Sequence, residues 1–581
     1  MLLVALLTAL QAGNLPLDPR DTVLALPAQP AAEETQAAQF LQEWLRKACR
    51  SPSGFEIVGE DKVRGKAIAL GRTRWAPKAP PGRDGFAIRR VGPVVALAGG
   101  SPAGTYHCAA HFLDRFCGVR FYLPGDLFTS LPPDPRIALP EIDLKEEPFV
   151  RNCMMTGTGY APGEGEWVKR NSAFRKEAFS HQHSMFDRFP PETFAARYPT
   201  IYPILDGTRY VPASGSDQAW QPCLTEPALV DAAGESAAAW FAKRPDLTHI
   251  SFSIQDSNKF CQCPRCASTL EEYLKADPQG GRPGALSRLN AEFLNRVAER
   301  LEKKFPDKTI VYIAYSDVRL PPPFRLHRNI LPVVVFTIAD TIIDRVLEPP
   351  DGNLIDLWSK AASRFGHHDW GQGQGYLIPR FYPGLQARVL RAVKAKGLDF
   401  GYAHFEAYPN WGLDGPKLFI TSRLWWNPDT DPEKLLDRFC ADLFPRAREP
   451  LKEYWTTLEK LWIAMDNQHE RKLYRWGNQF LLGTDEQRNL AREARKHLDR
   501  ALGLAADGPE KSRVELFSKS YRLTEYLFEL SNPPKPGSAK ADEVRRYAAE
   551  KIIPDPMTVF SDVERKRIAA LIDQALTQVL K

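Results

Sequence analysis

Long basic runs are missing from this chain. Lys and Arg are scattered, no basic stripe forms, and the net charge of +6 is small for 581 residues. Nucleic acid is thereby excluded as a partner. No apolar stretch reaches the roughly 18–20 residues that a spanning helix needs, so no membrane span is expected; the apolar opening segment, residues 1–12, is too short. No Lys-Ser/Thr pair follows the turn Gly99-Gly100-Ser101, which removes the P-loop reading. Those glycines serve a tight strand-to-helix turn instead. Internal repeats and a disordered tail are also absent.

What is present is ordinary for a globular protein: 43% hydrophobic and 25% charged residues, with length for about three domains. Proline is frequent (49 residues), which implies many ordered loops, and the 13 tryptophans suit both a core and stacking on sugar rings. Residues 1–12 have the apolar, small-residue-ended form of a secretory signal, although no Lys or Arg precedes them. A signal segment over 1–18 and a secreted or periplasmic location are expected. Nine cysteines is an odd number, so pairing would leave one over.

The fold class read from pattern is α/β in three parts. Residues 19–145 form a small α/β domain, with helices over 32–50 and 105–116 and strands at 67–71, 85–89 and 94–98. From 146 to 430, apolar runs at 149–155, 249–254, 309–314, 330–336, 364–370 and 398–405 alternate with helical stretches, notably 286–305 and 385–396. Such alternation argues for a central (β/α)8 TIM-type barrel. Residues 431–581 read as a helical domain, with helices over 432–444, 449–465, 485–502, 512–530 and 561–579.

The run at 249–254 ends in Gln255-Asp256, with Asn258 beyond it and then Cys261-Gln262-Cys263-Pro264-Arg265-Cys266. An acid at the C-terminal end of a barrel strand is where this architecture gathers chemistry. Asp369 and Glu406 end two other runs in the same way. Glu406 is flanked by Tyr408 and Trp411, whose rings suit a sugar site; its rival role is a structural ion pair.

The stretch Gly99–Tyr106 with Gly118-Val119-Arg120-Phe121-Tyr122 resembles the N-terminal domain of alpha-glucuronidases and beta-hexosaminidases. Further pieces resemble a bacterial family of secreted, alpha-glucuronidase-like proteins: Ser180-His181, Asp206-Gly207-Thr208-Arg209, Cys223-Leu224-Thr225, Gln255-Asp256, the cysteine motif, Ala314-Tyr315-Ser316, Trp411-Gly412-Leu413-Asp414-Gly415 and Trp426-Asn427-Pro428-Asp429. The resemblance implies an exported, sugar-cleaving barrel acting on a polysaccharide or oligosaccharide. The alternative is a non-catalytic carbohydrate-binding protein on a glycosidase scaffold.

Glycoside hydrolysis uses two carboxyl groups, one donating a proton to the leaving oxygen, the other activating water or attacking directly. By strand order, the resemblance makes Glu406 and Asp369 base candidates and Asp256 the acid candidate. Expected on the sugar side are His181, His368, Trp370, Tyr408, Trp411, Asn258 and Tyr315. His181 and His183, with His367 and His368 beside Asp369, could hold a divalent metal, recognise hydroxyls, or be structural; hydroxyl recognition is favoured for His181, and no cofactor is expected for catalysis. Cys223, Cys261, Cys263 and Cys266 should cluster as structural zinc ligands or disulfide partners, with free thiols as the remaining reading.

Overall fold

The computed structural model describes residues 13–78, 82–158, 163–175, 181–338, 354–371, 379–466, 484–531 and 538–558, with short pieces at 565–566, 569–570 and 572–573. The opening segment 1–12 and most of the helix expected over 561–579 lie outside the described residues.

The first layer is a six-stranded sheet. Its strands are β1 (Thr22–Leu26), β2 (Ile57–Gly59), β3 (Lys66–Leu70), β4 (Phe86–Val91), β5 (Val94–Gly99) and β6 (Asp143–Glu146), in the order β6-β4-β5-β3-β1-β2. Strands β1, β2, β3 and β5 run parallel; β4 runs antiparallel to both its neighbours, β5 and β6. Helix α1 (Ala32–Ala48) buries Phe40, Leu41, Trp44 and Leu45, the one-sided spacing of an amphipathic helix. Helix α2 (Pro102–Phe116) starts at Ser101, whose side chain accepts the Gly104 N–H. Beyond α2, Arg120 and Arg423 both pair with Asp114, and Arg120 also pairs with Asp442. This partly buried network fastens the first layer to the C-terminal helices.

The second sheet contains β7 (Asn152–Thr156), β8 (Phe174–Arg175), β9 (His249–Ser251), β10 (Thr309–Ala314), β11 (Ile330–Val335), β12 (Arg364–Asp369) and β13 (Asp399–Glu406). The order is β8-β7-β13-β12-β11-β10-β9. Only β8 is antiparallel. Because β7 pairs with the last strand, β13, the sheet curls as in a barrel. Among the described residues it has seven strands, a half-barrel, where eight in a closed ring were expected. Among the described residues between β8 and β9 the chain forms short helices, a small hairpin and one long helix, and no further strand of this sheet. There Ser184 and Met185 donate their N–H groups to the Ser253 carbonyl, and Ser184 Oγ accepts the Ser253 N–H. Local bonds thus satisfy backbone that a further strand would have paired.

Helices α3 (Pro227–Lys243), α4 (Pro264–Ala276), α5 (Gly281–Glu302), α6 (Leu354–Ala361) and α7 (Pro383–Ala395) connect the strands. Strand β11 is buried at every position, as expected of a central parallel strand covered on both faces. After β13 come α8 (Lys417–Trp426), α9 (Pro432–Leu443), α10 (Arg448–Asp466), α11 (Asp485–Leu504), α12 (Pro509–Ser531) and α13 (Ser538–Tyr547). Asp431 caps α9, and Thr484 with Gln487 forms a capping box on α11. Among the described residues no helix is long and apolar enough to cross a membrane.

Glu459 of α10 joins these helices to the curled sheet by accepting the Gly384 N–H at the start of α7, at 2.8 Å. Burial pushes its carboxyl up to about 7, against the opposing effect of that backbone bond. Folded protein therefore holds this proton more tightly than unfolded protein does. The resulting stability is complete below the ordinary value of 4.5 and is lost as pH rises through about 7. Between those limits the wild type should lose on the order of 2–3 kcal/mol relative to Glu459→Gln, measured by urea denaturation. Parallel stability profiles for the two proteins would contradict this.

Candidate active site

Register decides which side chains meet at the C-terminal edge of the curled sheet. Phe365 lies opposite Phe400, but Gly366 lies opposite Tyr402, so β13 carries one extra residue, Gly401. Beyond this bulge His368 pairs with His404, and on the other side Thr156 pairs with Glu406. Alternation along the strand then puts Tyr402, His404 and Glu406 on one face.

On that face three buried imidazoles converge. His181 Nε2 lies 2.9 Å from His368 Nδ1 and 3.4 Å from His404 Nδ1. His368 Nε2 is 3.2 Å from Glu406 Oε1, and His404 Nε2 is 2.8 Å from Thr156 Oγ1. One proton arrangement satisfies all four contacts. His368 Nε2–H donates to Glu406, His181 Nε2–H donates to both Nδ1 acceptors, and His404 Nε2–H donates to Thr156. The imidazoles thus fix the orientation of the Glu406 carboxylate. The same three nitrogens lie within 4.8 Å of one another and could hold a divalent cation, but the shortest N···N distance is that of a hydrogen bond.

A cleft of ≈ 750 Å³ opens nearby, lined by Asp217, Gln255, Asp256, Asn258, Tyr315 and Asp317 among others. Its wall is the loop after β9. Gln221 holds that loop, donating from Nε2 to the carbonyls of Gln255 (2.8 Å) and Ser257 (2.7 Å) and accepting the Gln255 N–H. Asp256 and Asn258 are exposed to the cleft. The Tyr315 ring meets Trp370 edge-on at 5.6 Å, and Trp370 meets His368 at 5.8 Å. An aromatic line therefore runs from the cleft to the imidazole that holds Glu406. Burial, and then the Asp256 charge, push the Tyr315 hydroxyl upward.

Other expected site residues are placed differently. Asp369 is buried, and its Oδ1 accepts the Ile338 N–H at 3.3 Å. His367 points to the opposite face from His368, stacks on Phe336 at 3.9 Å and donates to the Phe336 carbonyl; burial pushes it down to about 3. Trp411, expected in the cleft, is instead fully buried; its Nε1–H donates to the buried Glu164 at 2.6 Å and its ring packs on Trp167. The turn after Glu406 carries the chain inward, so proximity in sequence does not bring Trp411 to the rim. Tyr408 is half-buried and covers Gly157; a Cβ there would lie 2.4 Å from its ring, and φ is +74°. The sequence reading overlooked His404 and Thr156. A histidine two residues before Glu406, on the same strand face, was the available signal for the first.

All nine cysteines are described and none is in a disulfide. Cys223, Cys261, Cys263 and Cys266 come together with their sulfurs within 4.8 Å of one another, a second group able to hold a metal.

The domain of unknown function DUF4838 matches residues 124–456, over half of the chain, and the protein belongs to that family. A comparison with curated proteins finds no match. Among solved structures, the chain is similar to a family GH115 4-O-methyl-alpha-glucuronidase with specificity for decorated arabinogalactans, at 10% identity and TM-score 0.55, over 95% of this chain and 79% of that one. It is also similar, at 10% identity and TM-score 0.42, to a GH138 enzyme targeting pectin rhamnogalacturonan II, over 96% of this chain and 74% of that one. The likeness to the first of these is one of fold.

Within the family span, the turn after Glu406 is held by a buried ion pair. Lys417 donates to Asp414, whose Oδ2 also accepts the Asn410 N–H at 2.8 Å. Burial pushes Lys417 down, and the charges of Asp414 and Asp369 oppose that. Lys417→Met leaves a buried carboxylate without its cation and should cost about 3–5 kcal/mol in denaturation experiments. Lys417→Met combined with Asp414→Leu should recover much of it. A loss below about 1 kcal/mol in the single variant would contradict the pairing.

Proposed function

We propose that this protein is an exported glycoside hydrolase, alpha-glucuronidase-like, that cleaves a glycosidic bond in a polysaccharide or oligosaccharide. The single observation that carries the reading is Glu406 at the C-terminal end of β13, held by His368 at 3.2 Å at the end of an aromatic line from a cleft walled by Asp256. The glycosidase-like scaffold supports it, and the form of residues 1–12 supports export.

In this reading a sugar lies along the cleft, its apolar face toward Tyr315 and Trp370 and its hydroxyls toward Asn258. Asp256 donates a proton to the leaving oxygen. Glu406, oriented by the imidazoles, takes the proton of the attacking water. Asp369 acts from beneath as a positioning residue, since its carboxylate is buried against the Ile338 N–H. An inverting reaction needs the two carboxyls roughly 6.5–9.5 Å apart, to leave room for that water.

Turnover of a panel of oligosaccharides, including uronic acid glycosides, tests the proposal. Glu406→Gln should lower kcat by about 10²–10⁴-fold with sugar binding retained. Activity within about tenfold of wild type would remove Glu406 from the chemistry. A wild type that binds sugars but cleaves none would favour the carbohydrate-binding reading.

A further inference from the structure

We propose that Cys223, Cys261, Cys263 and Cys266 bind one structural zinc ion. The site stands apart from the sugar chemistry and does not depend on it. Three of the thiols come from one short loop, Cys261-Gln262-Cys263-Pro264-Arg265-Cys266, and the fourth precedes α3.

Distances decide between the uses of four thiols. A disulfide needs sulfurs roughly 2.0 Å apart. Zinc at about 2.3 Å from each of four sulfurs in a tetrahedron separates them by about 3.8 Å. Cys223 Sγ lies 3.7 Å from Cys263 Sγ and 3.7 Å from Cys266 Sγ, and no pair among the four is farther apart than 4.8 Å. The cluster has the dimensions of a tetrahedral thiolate site.

The surroundings suit thiolates as well. The Ile204 N–H donates to Cys261 Sγ at 3.3 Å and the Cys266 N–H donates to Cys263 Sγ at 3.4 Å. Cys263 caps the N-terminus of α4, where the helix dipole favours a negative sulfur. Thr225 Oγ1 lies 3.1 Å from Cys266 Sγ. Such outer hydrogen bonds orient ligands around a metal. A closed set of four soft ligands leaves no open position, so the role is structural.

The position gives the site its use. Hairpin residue Ile204 accepts the Gln262 N–H, and Asp206 donates to Gln262 Oε1. Cys223 stands two residues after Gln221, which holds the loop of Asp256 and Asn258. Zinc would therefore tie three surface segments together and set the cleft wall.

Elemental analysis of the full chain purified with zinc should find one equivalent, retained through desalting and absent from Cys263→Ser/Cys266→Ser. Cobalt added to the metal-free wild type should give the sulfur-to-cobalt charge-transfer band and the strong visible bands of tetrahedral thiolate. Imidazole ligands from the His181 group give no such charge-transfer band, so the two sites are separable. Hydrogen exchange over residues 204–262 should rise in the zinc-free wild type, a readout that survives even if the double variant does not fold. No retained metal, one equivalent of iron in place of zinc, disulfides among the four cysteines, or metal retained in the double variant would each overturn the assignment.

Discussion

One extra residue in one strand sets which side chains meet at the rim of the curled sheet. Gly401 is an unpaired residue of β13 opposite β12, and the pairing beyond it brings His368 level with His404. With no bulge His368 would face Ala403, and the alternation of side chains would send His404 and Glu406 to the opposite side of the sheet from it. The hydrogen bond from His368 to Glu406 and the approach of His368 to His404 follow from that offset. Gly401 suits the position because its neighbour Leu331 is close: a Cβ would stand 3.2 Å from the leucine side chain.

The half-barrel has a division of labour. Strands β7, β12 and β13 supply rigid positions for Thr156, His368, Asp369, His404 and Glu406. The loop after β9 supplies Asp256 and Asn258 and needs separate fastening, because it is exposed and has no strand to hold it. Gln221 fastens it from one side, and the cysteine cluster lies at its far end. Below the rim, the buried pair of Asp414 and Lys417 directs the chain away from the site after Glu406. Glu406 is thus placed by sheet register, whereas the Asp256 loop is placed by the side-chain bonds of Gln221.

Much of the sheet was legible in the sequence. The runs at 309–314, 330–336, 364–370 and 398–405 match β10, β11, β12 and β13 to within a residue; β10 and β11 show most plainly, because parallel strands buried on both faces read as near-continuous apolar stretches. Short strands such as β2 and β8 carry too few residues to show a period. The half-barrel was not legible, since strand repetition says nothing about how a sheet closes. The bulge was hidden for a related reason: Gly401 marks it only once the partner strand is known. Acids at strand ends could be named from the sequence, but the direction of Trp411 and His367 could not, because both depend on tertiary packing. The cysteine cluster was partly legible: three members share one loop, while Cys223 joins them only through the fold.

A crystal structure with a bound saccharide tests the central claim most directly. Crystals soaked in a panel of mono- and oligosaccharides, uronic acids included, should show a sugar in the cleft of Asp256, Asn258 and Tyr315. The scissile bond or its equivalent should lie between the Asp256 and Glu406 carboxyls. A sugar bound elsewhere, or one seated in the cleft with Glu406 out of reach of its ring, would contradict the assignment of this rim as a glycosidase active site.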